Sequence, residues 1–175
     1  MKKYLILFTI IIVSFFCTAC INNIAIQELN QMGIDYLNKG DIDGAISRFQ
    51  SSVDLDDNIY ESHFNLGVAF IQKQDNDNAI IHLKKATEIN PKAQDAYRSL
   101  AIAYENKAFD FVDIEGKEKR LKEDVIADIN LINEAILIYE TYLSFVKEKA
   151  EIENVQNHIN ELKNTIDNYK KEYQI

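Results

Sequence analysis

The sequence predicts an all-α fold, built as a stack of antiparallel helix pairs, and two observations lead to this prediction. Small residues recur every 34 positions, at Gly33, Gly67 and Ala101. Within each repeat the apolar residues are three or four positions apart, as one face of a helix requires. A period of about 34 residues is typical of helical repeat proteins, so each repeat is predicted to be one pair of helices.

The second half of the repeat recurs with the same step. Ala79 follows Ala45, and Leu83 follows Phe49, each at the interval that separates Gly33 from Gly67. The glycines of the first helix leave space for the large residues of the second, so the sequence predicts close packing within each pair.

The joints between helices also have recognisable residues. Gly40 suits the left-handed backbone position at the end of a helix, and Asp41 can accept hydrogen bonds from the first amides of the next helix. Pro91, the only proline, cannot continue a helix interior and is predicted to close the second unit.

These features resemble the tetratricopeptide repeat, a helix-turn-helix unit of about 34 residues. The second unit meets the family pattern at Leu66, Gly67, Phe70, Ala79, Leu83, Ala86 and Pro91, with His63 in place of the opening aromatic residue. The resemblance implies a right-handed superhelical stack, a TPR-like α-solenoid. Its units are predicted to cover 26–59, 60–93 and 94–149.

The third unit is predicted to contain an insertion. One more repeat step from Ala79 leads to position 113, but the second-helix pattern resumes only at Ala135, an excess of 22. Helical spacing continues on both sides of a predicted turn at 113–117. We therefore expect both helices of the third pair to be longer, by about eleven residues each, which gives an extended third hairpin.

The last segment, 150–175, has a narrow apolar seam. The seam consists of Ile152, Val155, Ile159, Leu162, Ile166, Tyr169 and Tyr173. Such a seam suits a C-terminal capping helix that seals the last pair, because repeat stacks need a polar-backed end. The alternative is a coiled-coil contact with a second molecule.

The amino terminus is predicted to be an export signal. Lys2 and Lys3 precede about thirteen apolar residues, and the segment ends in a small residue, Ala19, before Cys20. It resembles a bacterial lipoprotein leader, which implies cleavage after residue 19, lipidation of Cys20, a short tether over 20–25 and a place in the bacterial cell envelope facing the periplasm or exterior. An uncleaved membrane anchor and ordinary secretion are the alternatives.

Composition and charge exclude some functions. The formal net charge is -9, with 19 basic and 28 acidic residues and no dense basic stripe, so nucleic-acid binding is disfavoured. Cys17 and Cys20 have the spacing of a redox pair, but they stand in the predicted leader. The three histidines match no metal or catalytic motif, so we predict no enzyme, metal or cofactor. His63 is predicted to be a partly buried structural residue, and His82 to be solvated.

Function is therefore predicted to reside on a surface. In the family the first helices line a concave groove for a peptide or helix of a partner protein, and the register places ten residues there: Asn30, Ile34, Leu37, Phe64, Asn65, Val68, Ile71, Arg98, Ile102 and Glu105. The clamp that grips chaperone tails is not supported, since only Asn65 agrees with it. The sequence predicts a lipid-anchored scaffold for protein interactions; the alternatives are a coiled-coil oligomer formed through the C-terminal helix and an accessory subunit of an envelope assembly complex.

Overall fold

The computed structural model describes residues 22–110 and 120–175, and these residues form seven helices and no strand. The predicted leader and Cys20 lie outside the described residues, as does the predicted turn at 113–117. The helices are α1 (22–38), α2 (Ile42–Leu55), α3 (Tyr60–Gln72), α4 (Asn76–Ile89), α5 (Gln94–Ala108), α6 (Lys122–Leu143) and α7 (Lys149–Tyr173).

The helices stack in chain order. From α2 onward each helix packs on the next one, and α3 also contacts α5. Apart from the insertion before α6, the connections are only three to five residues long, which holds consecutive helices as antiparallel neighbours. The result is the predicted all-α stack of helix pairs.

The joint between α1 and α2 has the predicted chemistry. Gly40 has a φ of 78°, and the Asp41 carboxylate accepts a hydrogen bond of 2.9 Å from the Gly44 amide at the start of α2. The joint between α3 and α4 repeats this arrangement, because the Asp75 carboxylate accepts a hydrogen bond of 3.2 Å from the Asn78 amide. Gln74 takes the left-handed position there, with a φ of 63°, although it is not a glycine.

Each pair is packed small against large, as predicted. Gly67 of α3 faces Leu83 of α4, and Gly33 of α1 faces the ring of Phe49 on α2. Phe49 and Leu83 are fully buried. The absent side chains of the two glycines allow the paired helices to approach closely.

Three apolar clusters follow one another along the stack. The first joins α2 and α3 through Ala45, Phe49, Val53, Leu66 and Ala69. The second joins α4 and α5, with Ala135 of α6, through Ala79, Leu83, Leu100, Ala103 and Tyr104. The third is the largest and holds α5, α6 and α7 together. The core is therefore continuous through the pairs.

The C-terminal helix seals the stack. Val155, Ile159, Leu162 and Ile166 of α7 are buried in the third cluster against α6. Residues between them, such as Gln156 and Asn160, are exposed. The apolar seam is therefore buried within the chain, and the polar side of α7 forms the end of the stack, as a cap requires.

The predicted lengthening of the third pair is right for its second helix and wrong for its first. α6 has 22 residues where α4 has 14, but α5 ends at Ala108 after 15 residues. Asp110 would place a negative charge at the C-terminal end of α5, where the helix dipole opposes it. In contrast, Glu123 and Asp124 lie in the first turn of α6, where the dipole favours them.

Part of the segment 20–25, predicted to be a tether, is helical. Residues 22–25 are helical and belong to α1. Ile26, the first residue of the predicted unit 26–59, is buried, so it belongs to the packed face of α1.

Candidate functional site: the face of α1, α3 and α5

The first helices of the three pairs lie side by side and form one surface, which we call the inner face. Asn65 of α3 donates a hydrogen bond of 3.2 Å to Asn30 of α1, and α3 contacts α5. All ten residues predicted for the groove are on these three helices. The structure therefore brings the predicted residues onto one surface, but their side chains have different roles there.

A cleft of about 450 Å³ opens between α1 and α3. Its walls contain more amide side chains than apolar ones, and the lining residues are Asn23, Ile26, Gln27, Asn30, Gln31, Ile34, Ile59, Glu61 and Asn65. Three of the ten predicted residues, Asn30, Ile34 and Asn65, line this cleft. Gln27 and Glu61, which also line it, were not predicted.

Asn30 lines the cleft, but its side chain is mostly buried and is bound to groups of the core. Its side chain is only 8% exposed, and its Nδ2 donates to Ser52 Oγ at 2.8 Å and to Ser62 Oγ at 3.0 Å. The two hydroxyls lie 2.7 Å apart. Asn30 takes this role because Ser52 and Ser62 are fully buried and need hydrogen-bond partners.

This buried network also holds Asn65. The Asn65 amide donates to Asn30 Oδ1, while the Asn30 amide is committed to the two serines. The side chain of Asn65 is thus fixed at the wall of the cleft. Ser52 stands where the family has an alanine, and this substitution is the signal in the sequence from which a polar network could have been inferred.

The six apolar residues among those predicted for the groove divide between surface and core. Ile34 is 38% exposed and lines the cleft. The other five are half-buried, and four of them pack against core clusters: Leu37 on the first, Phe64 and Ile71 on the second, and Ile102 on the third. Val68 is half-buried on α3 and belongs to none of the three clusters.

Glu105 belongs to the junction of three helices. Its Oε2 accepts a hydrogen bond of 3.0 Å from the Tyr139 hydroxyl on α6 and lies 2.9 Å from Nε2 of His158 on α7. Burial, followed by the charge of Glu105, raises the pKa of Tyr139 well above its usual value. Glu105 therefore holds α7 against the third pair. Arg98, which is also on α5, is exposed.

Direct sequence similarity is found in the middle of the chain. The sequence model of the tetratricopeptide repeat matches residues 60–93, which contain α3 and α4. Residues 60–93 are a tetratricopeptide repeat. No curated protein sequence matches the chain.

Solved tetratricopeptide-repeat structures have the same fold. A thermophilic repeat protein of Thermus thermophilus is 14% identical, with a TM-score of 0.62 over 83% of this chain and 70% of that one. The first repeat domain of Spaghetti (RPAP3), bound to the HSP90 peptide SRMEEVD, is 16% identical, with a TM-score of 0.58 over 81% and 94%. The TPR2B domain of yeast Sti1, in a pHsp70 complex, is 17% identical, with a TM-score of 0.55 over 85% and 98%. The described chain is therefore a TPR-like α-solenoid.

His63 of the tetratricopeptide repeat is buried more completely than predicted, and His82 is not simply solvated. Their Nδ1 atoms lie 3.1 Å apart, and His63 Nε2 is 3.0 Å from the Asp57 carbonyl oxygen, to which it donates when neutral. The rings of His63 and Phe70 both stack on the half-buried ring of His82. The prediction for His82 is wrong because periodicity placed it beside Lys84 and Lys85 but could not show that His63 lies across the pair.

All three histidines lie within the residues that the structure describes. Over residues 22–110 and 120–175, no three histidine, cysteine or acidic side chains are arranged to hold a metal ion. In the same ranges, no helix has the length and apolar composition needed to cross a bilayer.

Proposed function

We propose that this chain is a scaffold that binds segments of other proteins on its inner face. The observation that carries the proposal is the cleft of about 450 Å³ between α1 and α3, which has Ile34 exposed at its wall and fixed amide groups beside it. A solvent-open cleft with one apolar anchor and oriented polar groups is suited to a peptide or a helix. The proposal includes no enzymatic activity.

The likeness to repeat domains supports this proposal. The RPAP3 domain is bound to an HSP90 peptide, and the Sti1 domain is in an Hsp70 complex. We propose protein partners for this chain too, without transferring the identity of those partners. We also propose, from the leader-like sequence before Cys20, that the scaffold is held by a lipid in a bacterial cell envelope and faces the periplasm or exterior.

The groove is tested by comparing partners captured from membranes. The variant Ile34→Ser with Val68→Ser removes two apolar side chains of the inner face, and such anchors commonly contribute about 2 kcal/mol each to binding. We expect crosslinked partners to be lost from this variant. The control is Ile81→Ser, because Ile81 is 60% exposed on α4, outside the inner face.

Circular dichroism and the unfolding midpoint show whether both variants stay folded. If the inner-face variant is folded and retains every partner at the parental yield, the inner face is not the binding surface. If only the Ile81→Ser control loses partners, the binding surface is instead on the outer helices.

A further inference from the structure

The inner face of the first two pairs has no positive charge. α1 and α3 carry three acidic residues, Glu28, Asp35 and Glu61, and no lysine or arginine. The whole chain has a formal net charge of -9. A ligand on these two helices therefore meets a negative potential that is not offset from within the site.

Three lysines stand at the ends of the inner helices, and none lines the cleft; Lys39, after α1, lies with its Nζ 5.8 Å from the centre of the Tyr36 ring. Lys73, which follows α3, forms an ion pair of 2.7 Å with Asp43 of the first pair. Lys107, at the end of α5, is paired with Asp77 of the second pair. Lys73 and Lys107 are both engaged by carboxylates of a neighbouring pair.

Glu61 is the acidic residue that lines the cleft. It lies in the first turn of α3 and is exposed. None of the ion pairs and hydrogen bonds of the described residues engages its carboxylate. Its charge contributes, after burial and Asp95, to raising the pKa of the neighbouring Tyr60. Glu61 therefore presents an unpaired negative charge at the mouth of the cleft.

The rest of the cleft offers neutral hydrogen-bonding groups. Asn23, Gln27, Gln31 and Asn65 each carry a carboxamide, which can both donate and accept. An extended peptide leaves its own N–H and C=O groups free, and carboxamides can satisfy both kinds without a net charge. Asn65 is already oriented by Asn30, so little side-chain entropy is lost when it binds.

We propose that the cleft between α1 and α3 binds an extended, basic segment of a partner protein. Gln27 and Asn65 hold the backbone of the segment, Ile34 receives an apolar side chain, and Glu61 pairs with a lysine or arginine. An acidic segment, in contrast, meets like charge and no cation. This inference rests on the proposed function and adds the chemical class of the ligand.

The inference is tested with short acetylated and amidated peptides that differ only in two positions, which are both lysine, both glutamine or both glutamate. Their binding to the full-length chain in detergent is measured by fluorescence anisotropy at low and high salt. A partly exposed ion pair is worth up to about 1 kcal/mol, so we expect the lysine peptide to bind about two- to fivefold more tightly than the glutamine peptide. The glutamate peptide should bind most weakly, and salt should reduce these differences.

Two variants that each remove one negative charge show whether Glu61 causes the preference for lysine. Glu61→Gln should remove the preference for the lysine peptide over the glutamine and glutamate peptides. Glu88→Gln removes the same charge from an exposed position on α4, away from the cleft, and should keep the preference. Asn65→Ala should weaken all three peptides, because it removes a group proposed to bind the backbone.

The remaining outcomes overturn the inference. Equal affinity for the three peptides, or an equal loss of preference in Glu61→Gln and Glu88→Gln, would show that the cleft does not select a basic segment. If partners captured from membranes still depend on Ile34 and Val68, the proposed function survives such a result. If neither the peptides nor the partners respond to changes in the inner face, both the inference and the proposed function are wrong.

Discussion

At Gly67 the backbone of α3 leaves no room for a methyl group. A β-carbon there would lie 2.6 Å from Leu83 Cγ and 3.3 Å from the Leu83 backbone nitrogen. We expect Gly67→Ala to lower the free energy of unfolding by about 1–3 kcal/mol through overpacking, even though alanine is the better helix former. Urea unfolding followed by circular dichroism measures the change.

A double-mutant cycle shows whether Leu83 is the cause. Leu83→Ala creates a cavity and destabilises the chain by itself. Combined with Gly67→Ala, it should cost less than the sum of the two single changes, because the new methyl group then enters the space left by Leu83. Strict additivity would mean that the two residues do not share this contact.

The histidine pair makes stability depend on pH. Burial, followed by the charge of His63, lowers the pKa of His82 to about 4, and burial is also the main reason why the pKa of His63 is lowered. The unfolded chain takes up a proton near pH 6.5, before the folded chain does. The free energy of unfolding should therefore fall as the pH decreases from about 6.5 to about 4, by about 1–2 kcal/mol after allowance for the solvent exposure of the half-buried ring.

A comparison with His82→Gln isolates the contribution of His82 to the pH dependence of the free energy of unfolding. Glutamine does not titrate and can still donate a hydrogen bond to His63 Nδ1. Carboxylates contribute equally to both proteins, so the difference between the two pH profiles reports the histidine. Identical profiles from pH 6.5 to pH 4 would contradict the assignment.

The sequence predicts which residue another one packs against where both positions recur in the repeat. Gly33 and Gly67 were identified because their partners, Phe49 and Leu83, recur at the same step. The buried hydrogen bonds of Asn30 could not be predicted, because its partners, Ser52 and Ser62, are peculiar to one joint and lie 22 and 32 positions away. Periodicity gives the face of a helix, but it does not give the polar partner across the interface.

Among the elements, α7 is held by contacts of two kinds. Its apolar seam is buried against α6, and His158 reaches Glu105 of α5 at 2.9 Å. We expect Ile159→Asp to lower the free energy of unfolding by about 3 kcal/mol or more, because it buries an unpaired charge. Asn160→Asp is the control, since the neighbouring Asn160 is exposed and should change stability little.

The same pair of variants decides between a cap and a coiled coil. If α7 is a cap, we expect light scattering to give the mass of a monomer for both the parent and Asn160→Asp. Ile159→Asp should then lose stability. A parental dimer that Ile159→Asp converts into a stable, fully helical monomer would support the coiled-coil alternative instead.

The ends of the elements were harder to predict than their existence. The fixed step of the repeat required an insertion in the third unit, but it did not show how the two helices would share the inserted residues. The helix dipole helps to explain the asymmetry between α5 and α6, because Asp110 disfavours continuation of one helix while Glu123 and Asp124 favour the start of the other. The charged residues near the helix ends therefore carry information about where α5 ends and α6 begins, and the spacing of apolar residues does not.

For the molecule as a whole, the proposed lipid anchor gives a prediction that needs only the intact chain. In a bacterium that processes lipoproteins, we expect Cys20→Ala to block cleavage of the leader, because Cys20 is the proposed site of lipidation. Mass measurement of the mature chain and membrane fractionation give the result. Cys17→Ala is the control and should leave processing unchanged; a chain that keeps Lys2 and Lys3 in the parent would contradict the proposal.

The stacking order has a consequence for how long such a molecule can be. Among the helices from α2 to α7, none contacts a helix more than two positions away in the chain. A second copy of residues 60–93 placed after residue 93 would therefore extend the stack by one pair while α7 still closed the end, but its buried Ser62 would meet Ala86 instead of the Ser52 hydroxyl. The length of the stack is therefore adjustable in whole units without a redesign of either terminus, provided that the polar side chains at each new joint find partners.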